Sequence, residues 1–294
     1  MSRIFAVPLH RRYTTQNHII MQDKRILTIQ DISCVGQCSL TVALPIISAC
    51  GIETAILPSS VLSNHTSGFS AWTFHDLTDE MPNILEQWKK EKVDFDAFYT
   101  GYVSQAQIPH ILDIIDQTSR PGALRIVDPV MGDGGRMYPG FGEDFPRHMK
   151  LLCQGADVIL PNLTEAALLL GEEYRSVYDR EYIEELLKRL HELGAKNVVL
   201  TGVSLKENEL GVACYDGTRI EYYFTERLHV AMHGTGDCYA SAFAGALLRG
   251  HSLLQSASIA ADFVVETIRK TMPDPSHWYG VKFEKALPYL ISRM

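Results

Sequence analysis

Gly234-Thr235-Gly236-Asp237 puts two glycines, a hydroxyl and a carboxylate directly ahead of a run of small apolar residues ending near Ala246. The glycines flanking Thr235 open backbone conformations closed to other residues, and the run that follows has the composition of a helix. The first amides of a helix lack partners within it and sit in positive potential. Such a junction is an anion hole, suited to a phosphoryl group that gains charge during transfer. The local sequence leaves two readings of Asp237 open. It could cap the helix, or it could act as a general base that takes a proton from a substrate hydroxyl.

Further carboxylates lie where strands are expected to end. Asp128 closes the apolar run Ala123 to Val130, where Pro129 stops the ladder. A glycine-rich loop, Met131 to Gly140, follows and carries Asp133 and Tyr138. Ligands of open α/β sheets lie beyond the carboxyl ends of strands, which places Asp128 and Asp133 to hold Mg²⁺ or its waters. Asp133-Gly134 also reads as a plain turn. In Pro161-Asn162-Leu163-Thr164-Glu165, Thr164 reads as an N-cap and Glu165 as a first-turn acid. Asn162 and Glu165 could both also reach a hydrated metal and phosphate. Ser63-Asn64-His65-Thr66-Ser67-Gly68 is a polar turn, open as solvated filler or as a contact for a small polar ligand.

Positioning these groups requires alternating strands and helices. Residues 25–32, 53–58, 95–100, 123–130, 156–160 and 197–201 read as buried strands, and 40–50, 80–91, 105–117, 180–193 and 253–270 as helices. Pro45 implies a kink or a displaced start in the first helix. The opening βαβ unit implies parallel strands. Residues 210–215 and 219–225, joined through Asp216-Gly217, read as a hairpin at one sheet edge. Residues 272–279 read as a Pro-rich tail segment.

The net charge of -8 argues against a nucleic-acid footprint, and no apolar run is long enough to span a bilayer. Cys34, Cys38, Cys50, Cys153, Cys214 and Cys238 are scattered without zinc-type spacing and read as free thiols of a reducing, cytoplasmic compartment. Cys238, next to the presumed base, reads as packing rather than as a reactive thiol. Residues 1–24 are basic, lack the apolar core of a secretory signal and read as a loose extension preceding one domain, 25–294.

Four segments, Ser63 to Thr66, Asp128 to Asp133, Pro161 to Glu165 and Gly234 to Asp237, resemble the pyridoxal/pyridoxamine kinases of the ribokinase-like superfamily. The likeness spans roughly Arg25 to Lys270. It implies a three-layer α/β/α fold with a mostly parallel central sheet, an antiparallel hairpin at one edge, and a homodimer. It also implies ATP-dependent phosphorylation of a vitamin B6 vitamer with Mg²⁺. Asp237 would be the base, with Gly234, Thr235 and Gly236 as anion hole. Asp128, Asp133, Asn162 and Glu165 would position Mg²⁺ and the ATP phosphates. Thr201, Gly202 and Thr235 would lie along the nucleotide, with Leu228 to Val230 beside the adenine. His65 and Thr66 would touch the vitamer, and Tyr138 would cover the phosphates.

Relatives of this kind carry a serine at the end of the first strand, where this chain has Asp31. A carboxylate there could pair with a ring nitrogen or an amine substituent and favour pyridoxamine or an aminopyrimidine. Leu160 stands where a polar residue precedes the proline in relatives that bind a monovalent cation, which counts against that site. Hydroxymethylpyrimidine kinase shares the anion hole and the reaction. A catalytically silent vitamer-binding protein is a third reading, and the retained carboxylates argue against it.

Overall fold

The computed structural model describes residues 23–294, and the proposed N-terminal extension falls almost wholly outside them. The chain forms β1 (Arg25–Ser33), α1 (Leu40–Ala49), β2 (Glu53–Leu62), β3 (Phe74–Asp76), α2 (Met81–Glu91), β4 (Phe95–Thr100), α3 (Ile108–Thr118) and β5 (Ser119–Val127). A two-residue hairpin, β6 (Gly132–Asp133) and β7 (Arg136–Met137), precedes α4 (Phe145–Cys153), β8 (Val158–Ile159), α5 (Leu163–Leu170) and α6 (Arg180–Glu192). The chain continues through β9 (Val198–Val203), β10 (Glu209–Tyr215), β11 (Ile220–Glu226), α7 (Thr235–Leu248), α8 (Leu253–Thr271) and α9 (Leu287–Ser292).

Nine strands form one sheet in the order β11-β10-β9-β8-β5-β4-β1-β2-β3. The six strands from β2 to β9 run parallel, and β10 and β11 form the expected antiparallel hairpin. Strand β3 adds a second antiparallel edge on β2. Its three residues are all exposed and so carry no burial pattern to read. Helix α4 also escaped the sequence reading, because Pro146 and the glycines before it mask its start.

Central strands such as β1 are buried on both faces, as parallel sheets covered by helices must be. One face packs Val42, Ile46, Ala240, Phe243 and Phe263 of α1, α7 and α8 against it. The other packs Leu85, Ile111, Met149, Leu163 and Leu187 of α2 to α6. A Cβ at Gly245 would run into the Cys50 sulfur, so glycine there lets α7 lie close to the α1 end. Helix α1 begins at Leu40 and continues through Pro45 without a displaced start.

Chain direction reverses its spread across the sheet at β1, with β2 on one side and β4 on the other. A crevice opens at the carboxyl ends of strands at such a point.

Candidate active site

Asp31 lies at the carboxyl end of β1, Asp128 directly follows β5, Glu165 is in the first turn of α5, and Asp237 is in the first turn of α7. The four acids form a chain of electrostatic neighbours along the crevice: Asp31 acts on Asp237, Asp237 on Asp128, and Glu165 on Asp128. Burial holds the Asp128 carboxyl far above the usual range, and the Glu165 and Asp237 charges push it further. Glu165 is pushed to about 8, mainly by burial, against the pull of amides from Asn162 and Met131.

Helix α7 starts at Gly234, whose φ of 81° is left-handed. A Cβ there would also collide with the Gln37 carbonyl oxygen, so the turn before α7 and the loop before α1 meet backbone to backbone. Thr235 and Gly236, expected to form an anion hole, open α7, and the Thr235 hydroxyl donates to Met232 O at 3.3 Å. Burial raises Asp237 to about 7, while hydrogen bonding from the Ser39 amide and the Cys38 thiol opposes the rise. A carboxylate poised near neutral pH suits general-base work.

Asn162, rather than Thr164, caps α5. Its Oδ1 accepts from Glu165 N at 2.9 Å, and Glu165 Oε2 accepts from Asn162 N at 2.9 Å. This reciprocal pair is a capping box, and it leaves the Thr164 hydroxyl free to accept from Gly135 N at 2.9 Å. Asn162 Nδ2 donates to Gly132 O at 2.9 Å, and Glu165 Oε1 accepts from Met131 N at 3.1 Å. Both residues therefore clamp the glycine-rich loop onto α5.

Asp133 is exposed on that loop, and its Oδ1 accepts from Gly134 N at 2.8 Å, the geometry of a turn. Among the described residues no group of three or more His, Cys, Asp or Glu is arranged to hold a metal ion. Asp128, Asp133 and Glu165 do not form such a triad. Tyr138 is 39% exposed, and burial with the charges of Glu165, Asp133, Asp128 and Asp237 pushes its phenol up. Its phenol thus lies within electrostatic reach of the acidic row.

Asp31 is buried, and its two oxygens accept from Ser33 Oγ at 2.8 Å and Ser39 Oγ at 2.5 Å. His65 is also buried: Nδ1 accepts from Ser67 N at 3.2 Å, which leaves Nε2 to donate to Tyr279 O at 2.8 Å. With both nitrogens engaged, its ring offers a face and an edge rather than a free polar atom. Phe69 and His233 lie with ring centroids 5.0 and 5.3 Å away, and Trp278 lies 4.7 Å from Phe69. Thr66 is exposed beside this aromatic wall. The sequence reading missed His233, Trp278 and Tyr279; the adjacency of His233 to Gly234 was the available signal.

Thr201, within β9, bridges Asn162, with Thr201 N donating to Pro161 O at 2.9 Å; the strand runs on through Gly202 to Val203. Gly202 next to it is exposed, with open space where a side chain would be. Strand β11 runs in the direction of β9, because each is antiparallel to β10. Leu228 and Val230, which follow β11, therefore emerge at the same sheet end, and Val230 is 39% exposed.

A family profile described as phosphomethylpyrimidine kinase matches residues 47–280. A Bacteroides thetaiotaomicron structure assigned as a phosphomethylpyrimidine kinase, in a crystal form with pyridoxal, superposes with a TM-score of 0.87 at 38% identity. That match covers 92% of this chain and 96% of the other. Pyridoxal kinase from Lactobacillus plantarum superposes with a TM-score of 0.85 at 34% identity, over 92% of this chain and 97% of its own. The pyridoxal kinase of Bos taurus is 29% identical over 246 residues, 75% of this chain and 76% of its own. The chain, matched by that profile over residues 47–280, belongs to the phosphomethylpyrimidine kinase family.

Proposed function

We propose that this kinase transfers the γ-phosphoryl group of ATP to the 5′-hydroxymethyl group of a vitamin B6 vitamer. The observation that carries the reading is Asp237, raised to about 7 at the mouth of the α7 anion hole and facing the crevice at β1. Asp237 takes the hydroxyl proton while the amides that open α7 hold the transferred phosphoryl oxygens. The wall of His65, Phe69 and Trp278 packs the pyridine ring. The nucleotide lies along Thr201 and Gly202 toward Leu228 and Val230, and Tyr138 excludes water from above. Holding both substrates in line supplies most of the acceleration.

Asp128 and Glu165 are a fit for Mg²⁺: burial raises both carboxyls and the Glu165 charge raises Asp128 further, and Mg²⁺ binds through one or two carboxylates plus waters and phosphates. Asp133 reaches it through water. When bound, the ion neutralises phosphate charge. We read the protein as a cytoplasmic homodimer. Among the described residues no helix is long and apolar enough to cross a membrane.

The test offers pyridoxal, pyridoxine, pyridoxamine and hydroxymethyl-aminopyrimidine side by side with ATP and Mg²⁺. Fast turnover of a B6 vitamer is expected. Preference for the pyrimidine moves the protein to thiamine synthesis, in line with the description of its family profile.

A further inference from the structure

Residues 272–282 leave the end of α8 and fold back to it as a loop pinned at its base. The Lys282 amide donates to Thr271 Oγ1 at 2.8 Å, and the Lys282 ammonium bonds the Asp274 carboxylate. Thr271 is buried and the Lys282 side chain is only 15% exposed, so both pins are shielded from water. Asp274 is fixed in turn: its amide donates to Thr271 O at 2.9 Å, and its Oδ1 accepts from Ser276 N at 3.1 Å. Compact loops closed at the base and packed by their own side chains are frequently functional. Here the rings of His277 and Trp278 lie 4.2 and 5.8 Å from that of Tyr279. The tip meets three loops of the crevice. Tyr279 O accepts from His65 Nε2 at 2.8 Å, and Trp278 packs on Phe69 and lies so near Gly68 that a Cβ there would come within 3.3 Å of its ring. Val281 N donates to His233 O at 3.2 Å, and a Cβ on Gly280 would come within 2.5 Å of the Gln37 Cβ. No helix or strand runs through residues 272–281, so these contacts decide where Trp278 and Tyr279 stand.

We propose that Lys282 is a positioning residue for the aromatic wall: by pinning the base of this loop it holds Tyr279 O against His65 and Trp278 against Phe69, and so sets the affinity for the vitamer. With the pin cut, the loop samples positions in which His65 Nε2 loses its acceptor and Phe69 loses its neighbour. Affinity then falls with the fraction of molecules in which the wall is assembled. The Glu165 end of the crevice is clamped by separate contacts to Met131 and Asn162, and the Gly234 turn is held by its close contact with Gln37, so ATP binding and turnover are spared. The kinetic consequence rests on the reading of this wall as the vitamer site. The pinning is a property of the unliganded protein.

The test compares wild type, K282R, K282M and K282E. K282M removes the ion pair, and K282E sets a like charge beside Asp274. KM for the vitamer is expected to rise about 3-fold in K282M and about 10-fold in K282E, the range of a partly buried ion pair and of its reversal. KM for ATP and kcat should change less than about 2-fold, and K282R, which keeps the bond to Asp274, should stay near wild type. A purely structural role would instead lower the melting temperature and scale kcat with the folded fraction, leaving both KM values alone. The second readout is chymotrypsin cleavage of the unliganded proteins after Trp278 and Tyr279, mapped by mass spectrometry. Cleavage there tracks the opened loop and should be about 10-fold faster in K282E, intermediate in K282M and unchanged in K282R. K282M carries both comparisons by itself if K282E does not fold. Cleavage at the wild-type rate in K282M and K282E overturns the pin. Faster cleavage with an unmoved vitamer KM, or an equal rise in both KM values, overturns the positioning role. If wild type phosphorylates no vitamer, the kinase reading fails, and the cleavage rates still decide whether Lys282 pins the loop.

Discussion

Asp31 and Glu165 are both buried acids of the crevice, yet they are anchored differently. Glu165 accepts from two main-chain amides, Met131 N and Asn162 N. Asp31 accepts from two side-chain hydroxyls, Ser33 and Ser39. Amides are present whatever the side chains are, so the Glu165 end of the row is fixed by the course of the backbone. Hydroxyls can be lost by single substitutions, so the Asp31 end of the row is open to change residue by residue. Asp237 stands between the two ends and touches both networks electrostatically.

The largest effect should come from the residue shared by the two ends. D237N should lower kcat by about 10²–10⁴-fold with vitamer dissociation constants nearly unchanged, read by rapid-quench kinetics and calorimetry. A weakened vitamer affinity with kcat intact would make Asp237 a structural cap. Next, E165A should lose about 1–3 kcal/mol of stability in urea, because the Met131 and Asn162 amides lose their acceptor, and should raise KM for ATP more than KM for the vitamer. If D31A destabilises the fold more than E165A does, the contrast between the two anchors collapses.

G234A should cost a comparable 1–3 kcal/mol, roughly, for a side chain forced to positive φ, and should lower kcat by disturbing the contact with Gln37. Circular dichroism melts and kinetics together check it. The smallest effect concerns pH. Asp237 has its folded pKa raised to about 7 from an ordinary 3.8. The unliganded fold therefore gains from the neutral form at low pH and loses that gain as pH rises through about 7. D237N removes the charge, so its melting temperature should exceed wild type by about 2–4 °C, the shift of a 1 kcal/mol change, at pH 8 and by less at pH 5. A pH-independent difference would place Asp237 in water rather than in the wall of the site.

The parallel sheet was legible because β-branched runs such as ILTIQ and LRIV must be buried on both faces. The anion hole was legible because two glycines and an acid precede a helix of small residues. The Asn162 cap was also readable, since an Asn followed three residues later by Glu is a capping-box spacing; Thr164 drew the reading because it too is a capping residue type. The Asp31–Ser39 bond was not legible. Its members are eight residues apart across a turn, and nothing in the string GQCS announces a serine at positive φ. The wall formed by Trp278 and Tyr279 was equally hidden, since it depends on a segment after α8 folding back over the crevice.

The hydrogen bond between His65 and Tyr279 joins residues 214 apart in sequence. Contacts so distant close late, after local structure has formed. During synthesis the ribosome must deliver Tyr279 before the His65 ring can be locked in place, so a nascent chain can raise most of its sheet well before this contact closes. The aromatic wall around His65 is thereby reserved for chains synthesised past that point.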